Sequence, residues 1–304
     1  MSVCAINLFA GGGGFTTAAT MAGVRVAWAA NHWPMAVQVH GRNHPQTEHA
    51  CQDLQQADWT RVPRHDLLLA SPACQGHSRA RGAERPHHDA QRSTAWAVVN
   101  CAEVHRPRDI VVENVPEFTA WALFPIWRSA LEVLGYQVRW EVLDAADYGV
   151  PQNRRRVFVV ATRRPGGWSA QTLQPLRRPA RSAREIIQWE HPPTTPVARL
   201  CVRTRWRVAA GRQEHAGEPF LVSYYGASQG GRSLSRPVGT ITTRDRWALV
   251  VGEHLRMLTV EECRRAMAFP EGYVLPANKR HAVHLLGNAV CPPVAAAVIT
   301  SILT

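Results

Sequence analysis

Two residues of this 304-residue chain stand out as able to do chemistry. One is Cys74, in the run Ser71-Pro72-Ala73-Cys74-Gln75-Gly76-His77-Ser78, and the other is Glu113, in Glu113-Asn114-Val115. A thiolate can add to an electron-poor carbon and later leave, and a carboxyl group beside it can hold or give a proton. Each follows a short apolar run, 66–70 and 109–112, of the kind that forms a buried strand. Ligands of an open α/β sheet bind beyond the carboxyl ends of its strands, so thiol and carboxylate are expected in one cleft. A lone cysteine is more often a small buried hydrophobe, and it is the surrounding motifs that argue for a nucleophile here.

A third element is Gln152-Asn153-Arg154-Arg155-Arg156. It could be a solvated charge run, but strand alternation would send Arg154 and Arg156 to one face and Arg155 to the other. A fourth is Asn7-Leu8-Phe9-Ala10-Gly11-Gly12-Gly13-Gly14, glycines between a strand and a helix, where backbone can approach a ligand closely. It lacks both the Lys-Ser/Thr of a P-loop and the spacing of the dinucleotide fingerprint, which points to a nucleoside without a pyrophosphate. Trp33 is placed to stack on an adenine, and Asp53 to accept from its amino group; an ordinary core aromatic is the plain alternative for Trp33.

The elements needed to position these residues can be read in outline. Strands are expected over 4–9, 25–30, 66–70, 109–112, 136–143 and 156–162. Helices are expected over 15–22, from Pro34, and over 90–105, 124–134 and 293–303. This alternation predicts an α/β, doubly wound, mostly parallel sheet. From about 165 to 251 the chain turns Pro-, Arg-, Gly- and Ser-rich with short β-like runs, which predicts a smaller, irregular, β-containing domain. The expected division is 1–165 with 252–304, and 166–251. Thr259 and Glu262 form a capping-box pattern.

Charge narrows the partner. Lys and Arg total 35 against 23 Asp and Glu, a net charge of +12, and all but Lys279 of the basic residues are arginine. That suits a polyanion such as nucleic acid, although a codon bias would also enrich arginine. The seven cysteines are scattered without a C-x-x-C pair, which points to a reducing, cytoplasmic setting. No apolar run reaches the roughly 18 residues of a membrane span. His40, His44 and His49, and His87-His88-Asp89, lack a completing ligand set, so no metal is expected.

In this order the motifs resemble those of the DNA (cytosine-5) methyltransferases of bacteria and phages. Asn7 to Phe15 is similar to that family's first motif, Pro72-Ala73-Cys74-Gln75 to the nucleophile motif, Glu113-Asn114-Val115 to the carboxylate motif, and Gln152-x-Arg154-x-Arg156 to the arginine motif. Leu258 to Glu262 with Phe269-Pro270, and Gly287-Asn288-Ala289-Val290, are similar to the last two. The resemblance implies a class I, Rossmann-like methyltransferase fold with a target-recognition domain at 166–251. It implies transfer of a methyl group from S-adenosylmethionine to C5 of a cytosine flipped out of a specific double-stranded DNA sequence, through a covalent Cys74–C6 intermediate.

The catalytic residues it implies are Cys74, Glu113, Arg154 and Arg156. Those for the cofactor are Phe9, Gly11, Gly13, Gly14, His32, Trp33, Asp53, Leu54, Asn288 and Ala289. Those for DNA are Gln75, Ser78, Arg79, Arg81, Gln152, Thr240 and Thr242. A monomer acting on duplex DNA, with or without a separate restriction endonuclease, completes the expectation. An RNA cytosine methyltransferase and a catalytically weak DNA-binding homologue are the alternatives. Three positions depart from the family pattern: Ala73 stands where proline is usual, Asn7 where aspartate is, and His32 where an acid would hold the ribose. A looser turn at 73 without loss of activity, and weaker cofactor binding or a preference for an altered cofactor, are the expected consequences.

Overall fold

Four of the five parallel strands fall where the apolar runs of the first half predict them; the fifth, Glu48–Cys51, has no such run. The computed structural model describes residues 3–74, 76, 92–225 and 230–304. The chain folds as two compact units, the first made of 1–144, 155–177 and 289–304, the second of 145–154 and 178–288.

The first unit is built on β1 (Cys4–Leu8), β2 (Arg25–Asn31), β3 (Glu48–Cys51), β4 (Leu67–Ala70), β5 (Asp109–Asn114), β6 (Gln137–Asp144) and β7 (Arg155–Thr162), in the order β3-β2-β1-β4-β5-β7-β6. Strands β1 to β5 pair in parallel, while β7 runs antiparallel to both β5 and β6. Its helices are α1 (Gly14–Met21), α2 (Pro34–Asn43), α3 (Trp96–His105) and α4 (Phe124–Val133). Strand β4 is Leu-Leu-Leu-Ala and buried throughout, as a strand covered on both faces must be. The core beneath α3 and α4 centres on Ile6, Leu68, Ile110, Phe118 and Trp127, and the Trp127 indole donates to the Ala95 carbonyl at 2.9 Å. The order of strand addition reverses between the parallel neighbours β1 and β4, which opens a crevice at their carboxyl ends.

The second unit holds α5 (Val202–His215), α6 (Val260–Ala266) and α7 (Lys279–Asn288) with a five-stranded antiparallel sheet. Its strands are β8 (Thr195–Pro196), β9 (Phe220–Ser223), β10 (Arg232–Ser233), β11 (Trp247–Val251) and β12 (His254–Met257), ordered β10-β9-β11-β12-β8. This unit takes in more chain than 166–251. The turn at Gly252 folds β12 back onto β11, so the segment beyond 251 completes this sheet and brings α6 and α7 with it. The Thr259–Glu262 capping box forms as the pattern predicts. Glu262 is fully buried, and the Arg256 guanidinium donates to both of its oxygens at 2.7 Å.

Helix α8 (Pro292–Leu303) belongs to the first unit, where it packs on α1. The stretch Lys279–Leu303 is apolar enough in composition to resemble a membrane span, yet 78% of its most apolar window is buried inside the protein.

Candidate active site

At the carboxyl edge of the first unit's sheet, Glu113 is the last residue but one of β5, and its side chain is buried. β7 runs antiparallel to β5, so its first residues lie beside the last residues of β5, with Glu113 opposite Phe158 and Asn114 opposite Val157. That register brings Arg156 to Glu113: its Nε lies 3.1 Å from Oε1. A charge-assisted bond in so dry a place holds the carboxyl in one orientation.

Cys74 lies past the end of β4, half-buried, its thiol free of any disulfide. Two bonds fix the turn before it. The Asn114 side-chain amide donates to the Pro72 carbonyl at 3.1 Å, tying the turn to the end of β5. The Ala73 N–H donates to Thr94 Oγ1 at 3.0 Å. A proline at 73 would have no N–H to give, so the departure that suggests a looser turn comes with its own tether. Arg92 reaches the Gly76 carbonyl at 3.1 Å. Gln75, Ser78, Arg79 and Arg81 lie outside the described residues.

The glycine loop ends β1, next to β4 in the sheet. Phe9, Gly11 and Gly13 all take left-handed backbone angles, with φ of 56°, 53° and 98°. For a bulky residue such as Phe9 this costs on the order of 1–2 kcal/mol and persists only where the surroundings over-determine it. Gly14 begins α1 under the Val290 backbone, so close that a Cβ would sit 2.5 Å from the Val290 oxygen. The first N–H groups of a helix have no partner within it, and a small polar ligand can take them up.

Behind the loop runs a buried polar chain. Asn7 Nδ2 donates to Thr16 Oγ1 (3.0 Å), which bonds His40 Nε2 (2.8 Å), and His40 Nδ1 bonds His49 Nε2 (2.7 Å). His44 Nε2 lies 3.2 Å from Thr17 Oγ1. Burial keeps the His40 pKa well below the usual imidazole value and pulls His44 down to about 4, helped by neighbouring histidines. Asn7 Oδ1 is buried without a hydrogen-bond partner among the described residues. Among those residues no group of three or more His, Cys, Asp or Glu side chains is arranged to hold a metal.

At the tips of β2 and β3, Trp33 precedes α2 half-buried with its N–H bonded to Asn31 Oδ1 at 2.9 Å, and His32 beside it is exposed. Asp53 is exposed, and one of its oxygens accepts from the Gln55 N–H at 3.0 Å. Leu54 is buried in the core. Ala289 opens the returning segment of this unit, buried like its neighbour Val290.

The remaining expected residues sit in the second unit as an internal brace. Gln152 is fully buried; its amide nitrogen donates to the Ala266 carbonyl (3.1 Å), and its oxygen accepts from the Ile241 N–H (2.7 Å). Arg154, also buried, donates to the carbonyls of Ile241 (3.0 Å) and Gly287 (2.8 Å). Thr240 Oγ1 donates to the Asn153 carbonyl (2.9 Å), and Thr242 Oγ1 to that of Arg244 (2.9 Å). Asn288, exposed at the end of α7, bonds His284 at 3.1 Å. Arg154 thus spans two backbone segments of the second unit, whereas Arg156, in the first, pairs with Glu113. Sequence reasoning passed over Asn114 and Thr94, and it assigned Phe9 to the cofactor without its left-handed backbone; Asn114 sits within a motif already singled out, whereas Thr94 and the angle at Phe9 carry no local signal.

The family model for C-5 cytosine-specific DNA methylases matches residues 3–190 and 198–304. The chain is 27% identical over 307 residues to the Type II methyltransferase M.NlaX of Neisseria lactamica, covering 96% of this chain and 94% of that protein. It is 25% identical over 301 residues to the Type II methyltransferase M.HhaI of Haemophilus parahaemolyticus, covering 94% and 89%. Among solved structures, the Dnmt2 methyltransferase of S. pombe superposes with a TM-score of 0.73 at 18% identity, covering 100% of this chain and 98% of that one, a likeness of fold.

Proposed function

The chain belongs to the C-5 cytosine-specific DNA methylase family, and from that premise we propose that it methylates C5 of a flipped-out cytosine in one specific duplex sequence, using S-adenosylmethionine. The difficulty of the reaction is that C5 is a poor nucleophile inside an aromatic ring. The remedy is a bond from the Cys74 sulfur to C6, which pushes an electron pair toward C5. Glu113 holds N3 and the exocyclic amine as that charge develops, and Arg156 holds Glu113. Once C5 carries the methyl group, its proton is lost to solvent and the Sγ–C6 bond breaks, which returns the thiolate. Such an attack is impossible inside a base stack, so the nucleotide must leave the helix first.

Bound S-adenosylmethionine supplies an electrophilic methyl group on a sulfonium. The glycine loop suits such a molecule: Gly11 and Gly13 adopt left-handed angles, Gly14 has no room for a side chain, and α1 offers its first N–H groups. Phe9, Trp33 and Asp53 are the side chains that would line its adenosine end, with His32 toward the ribose and Leu54, Asn288 and Ala289 added by motif likeness. In the second unit, Gln152 and Arg154 act as positioning residues for 240–242. The same reading has the protein working as a monomer in the cytoplasm, with or without a separately acting endonuclease.

The observation that carries the reading is the Glu113–Arg156 pair beside a cysteine turn tethered by Asn114. Bisulfite sequencing of DNA from a methylation-free bacterial host expressing the chain, beside a Cys74→Ser control, tests it. Protected cytosines in a fixed context, absent from the control, are expected. Unprotected DNA in the presence of folded protein would reject the reading in favour of RNA or of a silent binder.

A further inference from the structure

Helix α5 is two-sided, and only one side is taken up by the protein. Thr204, Val208 and Gly211 face inward, and Val208 joins a cluster with Val197, Phe220, Val222, Ala248 and Val250. Gly211 lies so close to the Phe220 ring that a Cβ would overlap it, so the helix cannot roll on its sheet. The outward stripe is thereby fixed: Arg203, Arg205, Trp206 and Ala209 face solvent, and Trp206 is 73% exposed.

From 197 to 213 the chain contains five arginines and no carboxylate. Two are used internally. Arg207 donates to the Ser223 carbonyl at 3.0 Å, and Arg212 to the Gly252 carbonyl at 2.8 Å and to Glu253 at 3.0 Å. The side chains of Arg199, Arg203 and Arg205 are exposed and make no hydrogen bond or ion pair among the described residues. An uncompensated cationic face around a flat aromatic ring complements a polyphosphate surface. A lipid surface fits less well, because the helix's apolar stripe is already spent on the protein core.

We propose that the outward face of α5 binds the phosphate backbone of duplex DNA without reading sequence, with Arg199, Arg203 and Arg205 on phosphates and Trp206 packed against deoxyribose. The proposal rests on the DNA reading above and assigns this helix a role in affinity rather than in choice of target.

The test compares the full-length wild type, Arg203→Ala/Arg205→Ala and the charge-reversing Arg203→Glu/Arg205→Glu, with thermal unfolding as the folding control. Binding to a duplex carrying the context mapped by bisulfite sequencing is titrated across salt concentrations. Each phosphate contact contributes about 0.9 to the slope of log K on log salt, so the double alanine variant should lose about 2 from that slope. The mapped context should stay the same, and the charge-reversed variant should bind more weakly still. A wild type that binds DNA and variants with an unchanged slope would overturn the contact alone. So would a loss confined to binding phosphatidylserine vesicles. A wild type that binds no duplex DNA would overturn both the contact and the reading beneath it.

Discussion

Arg156 Nε sits 3.1 Å from Glu113 Oε1 because β7 runs against β5, so that an arginine at the start of one strand meets a carboxylate at the end of the other. Both side chains are largely out of water, and removing one partner leaves the other's charge exposed to that cost. Arg156→Ala should therefore lose about 3–5 kcal/mol of stability in urea unfolding. A double-mutant cycle with Glu113→Gln should return a coupling of about 1–3 kcal/mol. Additive effects would show that the pair is not coupled.

Cys74→Ser keeps the tethers at Pro72 and Ala73 and removes the thiolate. Methyl transfer into DNA should fall by on the order of 10³ or more, with the melting temperature within a degree or two of wild type. Substantial residual transfer would take Cys74 out of the chemistry.

Arg154 and Gln152 should behave differently from Arg156. Their side chains bond backbone carbonyls and an N–H of their own unit, so Arg154→Ala and Gln152→Ala each strand buried groups, at a cost of about 1–3 kcal/mol per lost partner. Stability should fall along with activity, measured by thermal unfolding and methyl transfer on the same samples. Lost activity at full stability would instead argue for direct contact with substrate.

Acid should loosen the fold before it reaches the carboxylates. Burial holds His44 and His65 down to about 4 in the folded chain, against about 6.5 when unfolded. Below 6.5 the unfolded chain takes up protons that the folded one refuses, so stability is full above that pH and falls as pH drops toward 4. The slope is at most about 1.4 kcal/mol per pH unit for each group. Urea midpoints measured across this window should decline, and His65→Gln should flatten the decline.

His32 stands exposed where the family pattern has an acid. If it weakens the hold on the ribose, His32→Glu should tighten S-adenosylmethionine binding about tenfold by calorimetry, equal to about 1.4 kcal/mol. An unchanged affinity would mean that the histidine serves the ribose as well as a carboxylate does.

How far the sequence reveals this arrangement depends on the range of the signal. Strand runs such as Leu67–Ala70 and Asp109–Asn114 are legible because a buried parallel strand has little to be made of except apolar residues. The cleft then follows from where such strands end. Arg154 was harder, since strand alternation presumes that the strand has already begun, whereas β7 starts at Arg155 and Arg154 bends away into another unit. The expected boundary at 251 differs from the compact unit that runs to 288 for a related reason: a helical pattern at Thr259 says that a helix forms and nothing about which sheet it will cover. Phe9 in a left-handed conformation carries no local cue, because only the packing around it makes such an angle tolerable.

The close approach of Gly14 to Val290 also bears on how the protein is made. A ribosome produces Gly14 276 residues before Val290, so until that much chain has followed α1 has no ceiling and its glycine loop lacks its final support. Arg156, too, arrives long after Cys74. A chain stopped short of Val290 would therefore carry Gly14 and Cys74 without the finished seat around them.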